Sequence, residues 1–175
     1  MTEIIRLVRA VSADIDRVAD LYVAAQHQSD VIGFLGATDD DVTRRWVRKC
    51  LIHDEFWIAE RGRKELLGIL ALSTDRLEIL ALDPAQRGQG VGALLIEHAK
   101  QRRPLNLQAR ISRAAQGIIA FLAENGFEQI DGAPDSHGQA FVDLRWSTTD
   151  VPTESVPTTD VPAESVPTKS VPTES

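Results

Sequence analysis

Three glycines at alternate positions, Gly88, Gly90 and Gly92, follow Arg87 and lead into the run Val91-Gly92-Ala93-Leu94-Leu95. Glycine has no Cβ, so its backbone can come close to a bulky ligand and take dihedrals that other residues avoid. Residues 90–100 read as a helix with Val91, Leu94, Leu95 and His98 or Ala99 on the inner face. The first turn of such a helix has amides without intrahelical partners and the positive end of the dipole. A glycine loop that opens a helix is therefore a seat for phosphate oxygens, to which Arg87 adds a charge. The strand before the loop, residues 77–82, carries one carboxylate, Glu78, and closes on Asp83-Pro84.

The rest of the chain must position these groups. Residues 4–9 alternate like a half-buried strand. Ser12 is the expected cap of a helix in which Ile15, Val18, Ala19, Tyr22 and Ala25 recur at helical spacing. A loop with Gly33 and Gly36 follows. Thr38 with Asp39, Asp40 and Asp41 predicts the start of a second helix, lined on one face by Val42, Trp46, Val47, Cys50 and Leu51. Residues 56–60 and 66–72 read as strands of a hairpin turned at Arg61-Gly62-Arg63-Lys64. After the helix at 90–100, Pro104 is a breaker and residues 105–111 are a strand. A helix capped by Ser112 runs to Asn125, with Gly126 at its stop. Strands near 127–130 and 140–146 complete the domain. The order β-α-α-β-β-β-α-β-α-β-β predicts an α/β (α+β) fold with a mixed, mostly antiparallel central sheet flanked by helices.

Three readings of the loop compete. Gly88-x-Gly90-x-x-Ala93 fits a dinucleotide fingerprint formally. That motif belongs after the first strand, with an acidic residue about 20 positions on. Here it lies mid-chain, and the equivalent region holds Gln108 and Arg110. A phosphate-loop NTPase needs a Gly-Lys-Ser/Thr ending, which is absent. The third reading rests on likeness: Arg87-x-x-Gly90-x-Gly92 after Leu82-Asp83-Pro84 resembles the acyl-CoA pyrophosphate loop of the GNAT superfamily of N-acetyltransferases. The element order over residues 4–146 is similar to that superfamily. Phe121-Leu122-Ala123-Glu124-Asn125-Gly126-Phe127 also resembles its helix-to-strand corner, F-Y-E-x-x-G-F.

The resemblance implies acetyl-CoA as co-substrate and a primary amine, on a small molecule or a peptide, as acceptor. The pantetheine arm would pair with the backbone of Leu80, Ala81 and Leu82. The pyrophosphate would sit on the amides of Gly88, Gln89, Gly90, Val91, Gly92 and Ala93, with Arg87 beside it. A backbone N–H near Leu82 would polarise the thioester carbonyl. Glu78 is the candidate base, because a period of two puts it on the same face as Leu82. Phe34 and Trp46 are candidates for the acceptor cleft. Two expected polar groups are missing: the family's usual tyrosine falls at Leu122 and its asparagine at Ala115. The one tyrosine, Tyr22, lies in the first helix. This departure keeps open a second reading, an acyl-CoA-binding or scaffold domain with little catalysis. Pairing through a last strand would make a homodimer.

The chain has 175 residues and a formal net charge of -7, which argues against nucleic acid or an anionic membrane as partner. Cys50 is the one cysteine, so no intramolecular disulfide and no cysteine-based zinc site is expected, and the chain reads as cytoplasmic. His27, His53, His98 and His137 have no metal-ligand spacing, and no metal is expected. No apolar run reaches the roughly 18–20 residues a membrane helix needs. Residues 1–146 read as the domain. Residues 147–175 read as a disordered tail, in which Val-Pro blocks repeat with a period of five from Val151 and five acidic residues stand against Lys169.

Overall fold

Leu67, Gly68, Ile69, Leu70, Ala71 and Leu72 are all buried, as a strand covered on both faces must be. The structure is a computed structural model that describes residues 4–28, 31–33, 39–62, 64–130 and 141–148. Phe34, Gly36, Thr38, Arg63, His137 and residues 149–175 lie outside the described residues.

In chain order the elements are β1 (Ile5–Arg9), α1 (Ile15–Gln26), β2 (Val31–Ile32), α2 (Asp40–His53), β3 (Glu55–Arg61), β4 (Glu65–Leu72) and β5 (Leu77–Leu82). They continue with α3 (Val91–Arg102), β6 (Asn106–Ser112), α4 (Gln116–Glu124), β7 (Glu128–Ile130) and β8 (Phe141–Ser147). One sheet has the order β1-β3-β4-β5-β2 and the other β6-β8-β7, with antiparallel pairing throughout both. Among the described residues one parallel bridge, Arg76 to Gln108, joins them. The α+β fold with mostly antiparallel strands read from the sequence is observed, as two antiparallel sheets joined by that bridge rather than one mixed central sheet. The last strand runs through Ser147, which pairs with Asn106.

Two apolar clusters flank the sheets. On one side Leu70, Leu80, Leu95, Ile96, Leu107 and Leu122 pack beneath α3 and α4. On the other, Val18, Tyr22, Val47, Cys50, Ile69 and Ile79 pack beneath α1 and α2. Cys50 is thus a core residue. No described helix is long and apolar enough to cross a membrane.

Helix starts differ from the sequence reading in detail. Ser12 opens a short 3-10 turn, and α1 begins at Ile15. There the carboxylate of Asp14 accepts from the Val11 amide at 2.8 Å and from Arg17 Nε at 2.8 Å, so aspartate rather than serine ties the turn. Asp39 caps α2, accepting from the amides of Asp41 at 2.8 Å and Val42 at 3.1 Å. Ser112 ends β6 instead of capping α4, whose N-cap Ala115 has no polar side-chain group to offer. Gly126, at φ 82°, stops α4 as expected.

A charged cluster fastens the end of α3 to the start of β3. Glu55 accepts from Trp57 Nε1 at 3.0 Å, Arg102 Nε at 2.5 Å and Arg103 Nη1 at 3.0 Å. Burial pushes this carboxyl up, but the three donors outweigh burial and bring it down to about 2. Its folded value lies below its unfolded one, so its stabilisation is complete above the ordinary carboxylate range and fades as pH falls toward 2. Glu55→Gln is therefore expected to cost about 2 kcal/mol at neutral pH, with the gap to wild type closing in acid. Urea melts at about pH 7 and about pH 3 measure both.

Candidate active site

The loop after β5 is shaped by short-range bonds. Asp83 accepts from the Ala85 amide at 2.9 Å and closes a 3-10 turn over Pro84–Gln86. Gly88 and Gly90 then take φ values of 70° and 81°, the left-handed region that favours glycine. Gly90 is the N-cap of α3, and no side chain caps it. The first intrahelical bond runs from Leu94 N to Gly90 O at 3.0 Å. The amides of Val91, Gly92 and Ala93 consequently have no partner within the helix.

These amides border a cavity of about 350 Å³. Leu80, Ala81, Leu82, Arg87, Gly88, Gly90, Val91, Gly92 and Ala93 all line it. Gln89 does not; its side chain turns back to donate to Ala85 O at 3.2 Å. Sequence reasoning missed Ile32, Gln86 and the floor supplied by α4, Gly117, Ile118 and Phe121. The signal for the floor was the spacing of Ile118 and Phe121 on one helical face. Gly92 is buried in the first turn of α3, where a Cβ would come within 3.1 Å of Phe121 Cζ and 3.3 Å of Leu82 Cδ1. Its glycine therefore lets α3 sit close over α4 and β5.

The strands beside the cavity part from one another. Gln108 N donates to Asp75 O at 2.8 Å, beside the Arg76 bridge, and no further ladder joins β5 to β6. On the same edge of β5, β2 pairs Ile32 with Leu80 and Val31 with Ala81. The segment read as plain loop thus holds a two-residue strand on the edge assigned to the pantetheine arm.

Glu78 lies in a β-bulge. Leu72 pairs with Leu77 and Ala71 with Ile79, which leaves Glu78 as the extra residue of β5. The alternation argument that tied Glu78 to Leu82 does not run through a bulge, and Glu78 does not line the cavity. Its half-buried carboxylate accepts from Ser73 Oγ at 2.8 Å. Cys50 and Asp54 lie near it at the end of α2. Burial, and after it repulsion from Glu78, raises the Asp54 carboxyl. Burial together with Asp54 pushes the Cys50 thiol up to about 12, so that it stays protonated.

Trp46 is half-buried and packs on Tyr22 with ring centroids 5.5 Å apart. Tyr22 is fully buried in the core beneath α1. A Cβ at Gly33 would meet Tyr22 Oη at 2.3 Å, which fixes glycine where β2 ends. Phe34, the other acceptor-cleft residue, lies outside the described residues. Leu122 is fully buried in the cluster beneath α3 and α4. His98 packs edge-on against Trp57 at 4.3 Å, and burial, with Arg102 nearby, lowers its pKa. Among the described residues no cluster of His, Cys, Asp or Glu could hold a metal ion.

The family model of the acetyltransferase (GNAT) domain matches residues 52–129. Over 82 residues the chain is 32% identical to the peptidyl-lysine N-acetyltransferase YjaB of Escherichia coli K12, covering 47% of this chain and 55% of that protein. It is 31% identical over 72 residues to YjaB of Salmonella typhimurium, covering 41% of this chain and 49% of that protein. The chain thus spans about half the length of the curated relatives it matches. The solution structure of apo YjaB from Escherichia coli superposes with a TM-score of 0.64 at 24% identity, covering 82% of this chain and 97% of that one. The PaiA N-acetyltransferase of Thermoplasma acidophilum, solved with coenzyme A, gives 0.61 at 16% identity, covering 82% of this chain and 99% of that one. At these identities the likeness concerns the fold.

Proposed function

We propose that the chain is an acetyltransferase of the GNAT type, like the domain whose model matches residues 52–129, and that it moves an acetyl group from acetyl-CoA to a primary amine by direct attack on the thioester. One observation carries this reading: nine of the ten residues assigned to the co-substrate surround one cavity at the uncapped start of α3. That cavity fits the group it would hold. Three amides without a partner in the helix and a positive helix end suit a diphosphate, and the apolar floor of Ile118 and Phe121 suits an alkyl arm. An arm that pairs with Leu80 or Ala81 displaces β2, whereas Leu82 lies beyond β2.

Acetyl-CoA supplies a thioester carbonyl activated for attack by an amine. The residues of this chain must make the amine neutral and hold the carbonyl oxygen. Glu78 takes a proton from the ammonium, directly or through water, which matters most for a lysine-like amine with a pKa near 10.4. A backbone N–H near Leu82, on the cavity wall and beyond β2, is the donor to that oxygen in this reading. The amine nitrogen bonds to the carbonyl carbon and gives its second proton to water, the C–S bond breaks, and the sulfur leaves with the bonding pair. With Leu122 where a tyrosine would stand, the thiolate takes its proton from water. A thiol pKa near 8.5 makes it a fair leaving group without a protein acid.

YjaB's name specifies peptidyl-lysine, and structures similar in fold include a spermidine N-acetyltransferase. A lysine-containing peptide and spermidine are therefore the first acceptors to test, by release of free thiol from acetyl-CoA. Acceptor-dependent release supports the enzyme. Tight CoA binding with no release on either acceptor or on a wider amine panel replaces it with the binding-domain reading, with Leu122 and Ala115 as the cause.

A further inference from the structure

Ser73 follows β4 directly and is held on every side. Its amide donates to Arg76 O at 3.0 Å, closing the turn between β4 and β5. Its carbonyl accepts from Arg103 Nε at 2.9 Å and from Arg103 Nη2 at 2.6 Å. Arg103 is itself fixed, because its Nη1 donates to Glu55 at 3.0 Å. With its main chain so clamped, Ser73 commits Oγ to Glu78 Oε1 at 2.8 Å. A run of bonds thus leads from Glu55 through Arg103 and Ser73 to the one carboxylate on β5.

A bulge gives Glu78 no cross-strand neighbour to fix its direction, and the raised carboxyl of Asp54 beside it offers repulsion rather than support. Among the described residues, Ser73 is the partner that holds Glu78. We infer that Ser73 is a positioning residue for the Glu78 carboxylate, fixing one oxygen so that the other faces the acceptor amine, and that Arg103 keeps Ser73 in place. This rests on the reading of Glu78 as the base. The hydroxyl touches neither substrate nor reacting atom; it acts through Glu78.

The test compares Ser73→Ala, Ser73→Thr, Glu78→Gln and the double variant Ser73→Ala/Glu78→Gln in thiol release from acetyl-CoA with a lysine-containing peptide. One orienting hydrogen bond to a charged group predicts a fall in kcat of about tenfold for Ser73→Ala, with KM for acetyl-CoA within about twofold of wild type. Threonine keeps the hydroxyl and is expected to restore most of kcat. The double variant is expected to be no slower than Glu78→Gln alone, because a group that acts only through Glu78 has nothing left to position. An unchanged kcat in Ser73→Ala, or losses that multiply in the double variant, overturns the inference while leaving the base in place. An unchanged kcat in Glu78→Gln is a different failure, since it removes the base itself.

Discussion

Glu78→Gln is expected to lower kcat with a lysine-containing peptide by about 10²-fold or more, while KM for acetyl-CoA stays within a factor of about two. Glutamine keeps the size of the side chain, and its carbonyl oxygen still accepts from Ser73 Oγ, the contact that glutamate makes at 2.8 Å. What it loses is basicity. At neutral pH a lysine-like amine is almost wholly protonated, and without a base only the rare neutral fraction reacts. The size of the loss should then depend on the acceptor. An α-amino group, with a pKa near 8, needs less help than a lysine side chain and should lose less. Raising the pH toward that of the free amine should recover part of the rate in the variant and little in the wild type. Steady-state rates across pH on two acceptors measure this. An equal loss on both, insensitive to pH, assigns Glu78 to acceptor binding instead of proton removal.

The glycine loop was legible in the sequence because everything that shapes it is local. Asp83, Pro84, Gly88 and Gly90 shape their own stretch, and the apolar spacing from Val91 onward is that of a helix. The loop's partners were less legible because they arrive by packing. Ile118 and Phe121 floor the cavity only because α4 docks beneath Gly92, where a Cβ would have kept it away. The β2 strand has two residues, too few for any alternation to register, and it exists through its pairing with Leu80 and Ala81. The bulge at Glu78 is a mismatch between two strands, visible only when the register of β4 is known. Counting by twos along β5 placed Glu78 with Leu82, and the structure places its carboxylate with Ser73, off the cavity wall. The same limit hid Asp14 as the tie of the first turn, since its partners Val11 and Arg17 lie on either side of a 3-10 segment instead of a regular helix start.

Gly88→Asp is expected to weaken CoA binding by about 30-fold at low salt, and Gly88→Asn by no more than about threefold. The pair isolates charge. Asparagine and aspartate are nearly the same size, and both tolerate the left-handed φ of 70° that Gly88 adopts. A Cβ at Gly88 meets no protein atom within 4 Å, so neither side chain disturbs the fold, and melting temperatures should stay together. Only aspartate brings a negative charge to the loop that, on the proposed reading, holds a diphosphate. At a solvent-facing site such a repulsion is worth about 2 kcal/mol, which corresponds to the 30-fold loss. Screening makes the prediction sharper. The gap between the two variants should narrow as salt rises toward about 1 M, where the Debye length shrinks to about 3 Å. Calorimetric titration with CoA and with dephosphorylated pantetheine completes the argument, since pantetheine carries no diphosphate and should not distinguish the variants. Equal weakening by both variants would mean that the loop is read by shape. No weakening by either would move the diphosphate away from Gly88, and the uncapped start of α3 would need another occupant.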